Sequence, residues 1–239
     1  MKTWLITGGS RGIGRAVAEA ATARGDRVAA LARTPGGHAW THPDRVLEVE
    51  ADVTETGSVQ RGLDTADEAF GQIDVVVNSA GVHRGGRIES LGRRAWDEVV
   101  GTNLSGTYEV CHAAAGRLAP GASIVNIGAV VGFRGFPGDA AYGAAKAGVS
   151  GLTQVLALEL APRDIRVNLV IPGFVDTDMT AGLSEKARQR IVDTIPAGRT
   201  GTSEEVAEVV LAVASATYMT GATVPVDGGL LNTFSGGKR

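Results

Sequence analysis

One cysteine, Cys111, is all the chain has in 239 residues, so no internal disulfide can form. Histidine is nearly as scarce. His38, His42, His83 and His112 are scattered without the spacing of a ligand set, so no metal site is expected. Long apolar runs are missing as well: nothing approaches the roughly 18–20 residues that span a bilayer. The opening stretch MKTWLITGGSRG turns into glycines too soon for a signal peptide. Excess positive charge is also absent. The net charge is −3, which gives no bulk attraction to nucleic acid or to an anionic membrane. These absences predict a soluble, cytoplasmic, metal-free protein with no nucleic-acid or membrane partner. The composition is 44% hydrophobic and 21% charged, enough to bury one large core or two small ones. Glycine is the abundant residue, at 34 positions, many of them at the ends of apolar runs. Such positions let a backbone approach a ligand closely.

Short apolar runs alternate with helical patterns along the chain. TWLIT (3–7), RVAALA (27–32), VLEVEA (46–51), IDVVVN (73–78), SIVNIG (123–128), IRVNLVI (165–171) and ATVPVD (222–227) read as strands. Helical patterns cover about 12–24, 55–70, 93–117, 142–161 and 203–215. The strand runs are continuously apolar, as expected when helices cover both faces of a sheet. Strand–helix alternation implies right-handed crossovers and parallel strands. The expected fold is therefore α/β: a single-domain Rossmann fold over 1–239, with a doubly wound parallel sheet of about seven strands and helices on both faces. Residues 174–200 interrupt the rhythm with Met179, Leu183, Ile191, Ile195 and Pro196. Doubly wound folds bind ligands at the strand C-termini, so this insertion reads as a substrate lid. The alternative is a plain surface helix. The last residues, 235–239, read as a disordered tail.

The stretch TGGSRGIG (7–14) follows the first strand and opens the first helix. Gly8 permits a tight turn, Gly12 lets the backbone approach a pyrophosphate, and Gly14 lets helix and strand pack closely. The helix N-terminus then offers free N–H groups and a positive dipole end to phosphates. An NAD site usually has an acid at the end of the second strand, for the ribose diol. Here that strand ends Leu31-Ala32-Arg33-Thr34. Arg33, with Arg11 from the turn, fits a 2′-phosphate instead, which predicts NADP(H) as cofactor. The alternative is two solvated arginines.

Tyr142 and Lys146 stand at i and i+4 of an expected helix and so share a face. A phenol titrates near 10, and a nearby ammonium is expected to lower that value towards the useful range for proton transfer. Alone, such a pair is also a common helix surface pair. The chain, however, carries TGGSRGIG, NSAG (78–81), TNLSG (102–106), YGAAK (142–146) and PGFVDTDM (172–179) in this order. On these motifs it resembles the classical short-chain dehydrogenase/reductases from residue 3 to about 229. PGFVDTDMT, IPAGRTGTSEEVAEVV and YMTGATVPVDGG are most similar to the bacterial β-ketoacyl-acyl-carrier-protein reductases.

The resemblance implies NADPH-dependent reduction of a ketone, a 3-oxoacyl thioester above all, with a role in fatty acid biosynthesis. Tyr142 would protonate the carbonyl oxygen. Lys146 would hold the nicotinamide ribose and depress the tyrosine pKa. Asn103 would place a water in a proton relay. Gly8, Ser10, Arg11, Gly12, Ile13 and Gly14 would line the pyrophosphate and adenosine side. Asp52 and Val53 would meet the adenine, and Asn78, Ala80 and Gly81 the riboses. Pro172, Gly173, Val175 and Thr177 would hold the nicotinamide. Ser79 replaces the family's second asparagine, a change a small polar residue tolerates. A small ketone or a polyketide intermediate is an alternative substrate.

One departure bears on catalysis. The family's catalytic serine falls thirteen residues before the tyrosine, and here that position is Ala129. Loss of one such donor typically costs about 10²–10³ in rate. Ser123 lies six residues upstream, about 20 Å along an extended strand, and is no easy substitute. Three readings follow: an engineered serine-to-alanine variant with strongly reduced activity; a natural reductase in which Tyr142 acts alone or another group orients the substrate; or a non-catalytic NADP(H)-binding sensor or silent subunit. The resemblance also implies a homotetramer built on the helix from Tyr142 and the long helix before it. It allows acyl-carrier docking through Arg163, since GRLAPGAS (116–123) contributes only Arg117 to a docking cluster.

Overall fold

Successive residues of a strand face opposite sides of a sheet, and in β1 (Thr3–Thr7) both sides are buried. The structure, a computed structural model, describes residues 1–37 and 39–233. The expected tail at 235–239, and His38, lie outside the described residues. Leu5 enters one core, with Val59 and Leu63 of α2 (Thr56–Phe70), Val110 and Ala114 of α4 (Gly106–Ala115), and Ala157 and Leu160 of α5 (Ala140–Leu160). Trp4 and Ile6 enter the other, with Ala16 and Val17 of α1 (Gly12–Ala23) and Val210 and Leu211 of α7 (Ser203–Ser215). Two helical layers thus sandwich one sheet, which is why its strands read as unbroken apolar runs.

The remaining strands are β2 (Arg27–Ala32), β3 (Val46–Glu50), β4 (Val75–Asn78), β5 (Ser123–Ile127), β6 (Arg166–Pro172) and β7 (Thr223–Val226). All pair in parallel, in the order β3-β2-β1-β4-β5-β6-β7. This is the doubly wound Rossmann arrangement, folded as one domain. The strand order reverses between β1 and β4, so their C-terminal ends flank the crevice where such sheets bind ligands.

Three features refine the sequence expectation. First, full coverage fails at the two edges: β3 and β7 keep exposed residues. Second, β2 and β3 are joined without an α-helix among the described residues, as the sequence pattern has it. A 3₁₀ turn forms at Pro43–Arg45, and the connection folds back on α1. Arg15 donates to the Ala39 carbonyl at 2.6 Å, and its guanidinium lies 4.8 Å from the Trp40 ring centre.

Third, the long helix expected over 93–117 is three pieces. α3 (Arg93–Val100) passes into a π-helical turn, Gly101–Ser105, and then into α4. Asn103 sits inside that turn. Its Nδ2 donates to the Val99 carbonyl one turn back and to the Val82 carbonyl beyond β4, both at 2.8 Å. A side chain entering the helical hydrogen-bond ladder is a known cause of such bulges, which favour functional sites.

Residues 174–200 contain turns and one helix, α6 (Glu185–Val192). Arg188 of α6 pairs with Asp176 at 2.6 Å, and Asp176 accepts from Thr200 at 2.7 Å, so the helix is clasped to both ends of its insertion. Among the described residues, no helix is long and apolar enough to cross a membrane.

Candidate active site

The crevice at the β1–β4 switch is built from positions without side chains. Gly8 has φ +67°, and a Cβ there would lie 2.9 Å from the Ala80 backbone. A Cβ on Gly14 would lie 2.4 Å from the Gly8 carbonyl oxygen. The turn and the first coil of α1 therefore close on each other, leaving the N–H groups at the mouth of α1 directed into the crevice. Gly12 has φ +53°, and a Cβ there would lie 3.5 Å from the Thr177 methyl, which places the phosphate turn against the start of the 174–200 insertion. Thr7 Oγ1 accepts from the backbone N–H groups of Ser79 and Ala80, tying β1 to the end of β4. Asparagine at 79 is not needed for this tie, which uses only main-chain donors.

Ser10 and Ile13 are part-buried in the turn, and Arg11 is exposed beside them. Arg33 is exposed at the end of β2, and among the described residues neither arginine has an acidic partner. Asp52 accepts from the Thr54 N–H and hydroxyl. Val53 packs inward over Gly106, and Val175 is buried near α7, so both side chains belong to the cores. Gly173, after Pro172, has no room for a side chain: a Cβ would lie 2.7 Å from the Asp227 backbone. Asn78 donates to Asn126 at 2.8 Å, and its own Oδ1 is buried with no partner among the described residues. These features fit a dinucleotide: a side-chain-free cradle, N–H groups at a helix mouth and two exposed cations.

At the far end of the crevice, α5 begins at Ala140, two residues earlier than its sequence pattern suggests, so Tyr142 lies in its first turn. Lys146 follows one turn on, is 4% exposed, and donates to the Ile127 carbonyl at the end of β5 at 2.7 Å. Its Nζ lies 5.6 Å from the Tyr142 ring centre. Asn103 is fully buried nearby, and its Oδ1 has no partner among the described residues. That oxygen lies 2.7 Å from where a Gly81 Cβ would stand, so only glycine fits at 81 beside it. Ala129, two residues past β5, has extended backbone and leads into a 3₁₀ turn, Val130–Gly132. A Cβ on Gly132 would lie 2.8 Å from the Lys146 backbone, so this turn packs directly on α5.

The electrostatics correct one expectation. Tyr142 is not lowered by its lysine. Burial, and then the negative charge of Asp139, push the phenol up to about 12. Burial pushes Lys146 down to about 8. Lys146 spends its hydrogen bond on a carbonyl rather than on the phenol, so desolvation decides both values.

Arg163 is exposed, and its guanidinium donates to the Ala115 carbonyl at 2.6 Å and to the Leu118 carbonyl at 3.0 Å, capping the end of α4. Arg117 is held by Asp64 and Asp67 at 2.6 and 2.8 Å. The charge of Arg117 is thus balanced by two carboxylates, whereas Arg163 bonds only neutral carbonyls.

Two residues here escaped the sequence reading. His83 Nε2 lies 2.8 Å from Asp139 Oδ1, and the His83 ring meets the Tyr142 ring edge to face at 5.3 Å between centres. Position was the available signal: His83 follows NSAG closely, and Asp139 precedes the tyrosine by one helical turn.

A family model described as enoyl-(acyl carrier protein) reductase matches residues 8–231. The chain belongs to the classical short-chain dehydrogenase/reductases. As a member of that family it is an oxidoreductase of nicotinamide-cofactor chemistry, close in sequence to 3-oxoacyl-acyl-carrier-protein reductases. It is 39% identical over 237 residues to 3-oxoacyl-[acyl-carrier-protein] reductase FabG of Escherichia coli, across 96% of this chain and 97% of that one. It is 41% identical over 231 residues to carbonyl reductase family member 4 of Danio rerio, across 95% and 96%. The ligand-free aldohexose dehydrogenase of Thermoplasma acidophilum superposes with a TM-score of 0.90 at 32% identity, covering 100% of this chain and 97% of that one.

Proposed function

We propose that this short-chain dehydrogenase/reductase reduces the keto group of a 3-oxoacyl thioester to a hydroxyl, with NADPH as its cofactor. The observation that carries the reading is the meeting of Tyr142, Lys146 and Asn103 at the end of a side-chain-free nucleotide crevice. The similarity to 3-oxoacyl-[acyl-carrier-protein] reductases along nearly the whole chain supports the thioester. Bound in the crevice, the nicotinamide supplies the hydride. Gly8, Ser10, Arg11, Gly12, Ile13 and Gly14 hold its pyrophosphate. Asp52 and the Val53 main chain border the adenine, while Asn78, Ala80, Gly81 and Lys146 border the riboses. Pro172, Gly173, Val175 and Thr177 frame the nicotinamide, and residues 174–200 cover the substrate. Tyr142 gives its proton to the carbonyl oxygen. Asn103 Oδ1, buried and unpartnered, accepts from a water that restores it.

Ala129 contributes a methyl where a hydroxyl would support the same oxygen. If nothing else supplies that hydrogen bond, Ala129→Ser raises the rate by about 10²–10³. NADPH oxidation with an acetoacetyl thioester tests the reading. Turnover only with simple ketones would move the substrate class. NADPH binding without turnover by either the wild type or Ala129→Ser would favour a sensor or silent subunit.

The exposed Arg11 and Arg33 support NADPH over NADH. Arg33→Ala is expected to weaken NADPH binding by about 10- to 100-fold, the worth of charge-assisted hydrogen bonds, and to leave NADH unchanged. A fluorescence titration of both cofactors reads this directly, and tighter NADH binding by the wild type would contradict it. The outer faces of α4 and α5 expose Tyr108, Val155 and Leu158, which supports a homotetramer joined through these helices. Light scattering at micromolar concentration is expected to give four chains; a monomer refutes the assembly.

A further inference from the structure

We infer that His83, held by Asp139, is the second hydrogen-bond donor to the substrate carbonyl, in the role left vacant by the methyl of Ala129. The inference rests on the ketoreductase reading. It starts from the contact between the His83 and Tyr142 rings, 5.3 Å between centres and nearly perpendicular at 87°. The oxygen that accepts from the Tyr142 hydroxyl lies within about 3 Å of it. An imidazole packed on that phenol is placed to approach the same oxygen.

Both ends of the dyad are fixed by the fold. Val82, the residue before His83, gives its carbonyl to Asn103 at 2.8 Å. Three residues after His83, the Gly86 N–H donates to the Gly138 carbonyl at 2.8 Å, which ties the His83 loop to the residue before Asp139. Asp139 then takes His83 Nε2 at 2.8 Å. Rigid support of this kind is what a positioned donor requires. Asp139 lines a groove of about 450 Å³ with Ile88, Val131, Phe136 and Gly143, and the His83 side chain beside it is part-exposed.

With Nε2 committed to the carboxylate, Nδ1 is the ring nitrogen left for a ligand. In the imidazolium it donates to a carbonyl oxygen; in the neutral ring bonded to Asp139 through Nε2–H it accepts from a hydroxyl. During reduction the hydride forms the new C–H bond and the carbonyl π pair moves to oxygen. That oxygen takes the Tyr142 proton, while His83 donates a hydrogen bond and keeps its own proton. Asp139, just before α5, and Tyr142 of α5 touch the ring. On its own loop, Arg84 donates to the His83 carbonyl and is paired with Glu98 at 2.6 Å.

The test compares the wild type, His83→Phe, Ala129→Ser and the double variant in NADPH oxidation with an acetoacetyl thioester. His83→Phe keeps an aromatic ring against Tyr142 and removes the donor. It is expected to lower kcat by about 10²–10³ with NADPH affinity and Tm retained. Ala129→Ser is expected to change the wild type little and to restore the His83→Phe variant. Asp139→Asn is expected to lower kcat in the same direction, since it weakens the hold on the ring. An unchanged kcat in His83→Phe overturns the role of His83 while leaving the reductase reading intact. So does a large gain from Ala129→Ser alone. No ketone-dependent oxidation by the wild type or by Ala129→Ser overturns the reductase reading and this inference with it.

Discussion

Tyr142→Phe is expected to lower ketone reduction by about 10²–10⁴, the usual contribution of a positioned general acid, while binding NADPH as before. Phenylalanine keeps the packing. The Tyr142 ring lies against the small cluster of Val82, Val99, Ala141 and Ala145, and edge-on to His83, and none of these contacts needs the hydroxyl. The variant should therefore keep its Tm and lose kcat rather than KM. The pH dependence follows from the raised phenol. A pKa near 12 means that Tyr142 keeps its proton through the neutral range, so loss of that proton does not limit reduction there. The reverse reaction, alcohol oxidation, needs the phenolate and gains as pH rises. Lys146, pushed down to about 8, loses its charge first in the cofactor-free chain. The order is the opposite of a lysine that has already ionised its tyrosine. A Tyr142→Phe variant with near-normal kcat would remove the proton donor from the mechanism.

The second large effect is expected from Asn103→Leu. The asparagine fills the π turn and donates to two carbonyl oxygens, Val82 and Val99, each at 2.8 Å. Leucine removes both bonds from carbonyls in the interior, at about 1–3 kcal/mol each. For a chain of this size that amounts to roughly 5–20 °C in Tm. Catalysis should suffer beyond stability, because the Val82 carbonyl anchors the loop that carries His83. Tm by calorimetry and kcat at a temperature where the variant stays folded separate the two. An unchanged Tm with unchanged kcat would mean that the bulge is held by its backbone alone.

Much of this architecture is legible in the sequence, for a physical reason. Strands covered on both faces must be apolar throughout, so VVVN at β4 and RVNLVIP at β6 announce themselves. The glycine turn is legible because a backbone in contact with phosphate leaves no room for Cβ atoms. The unread features depend on contacts between distant segments. Asn103 lies in an unbroken helical pattern, and only its reach to Val82 across the fold converts one turn to a π turn. His83 and Asp139 are 56 residues apart, and a bridge between two loops pairs them. Arg163 reads as a surface charge, and the sequence does not announce its carbonyl partners at the end of α4. The direction of the Tyr142 shift was missed because sequence spacing counts neighbouring charges and does not reveal depth of burial. The β2–β3 connection folds against Arg15 and Glu19 of α1 through Ala39 and Thr41, contacts that the local sequence does not announce.

The most direct test of the central claim, ketone reduction through Tyr142, is the rate of NADPH oxidation with an acetoacetyl thioester, measured on the wild type and on Tyr142→Phe with NADPH binding titrated in parallel. The expected result is thioester-dependent oxidation in the wild type, lost in Tyr142→Phe, with equal NADPH affinity in both. Equal rates in the two proteins, or NADPH binding without ketone-dependent oxidation in the wild type, would contradict it.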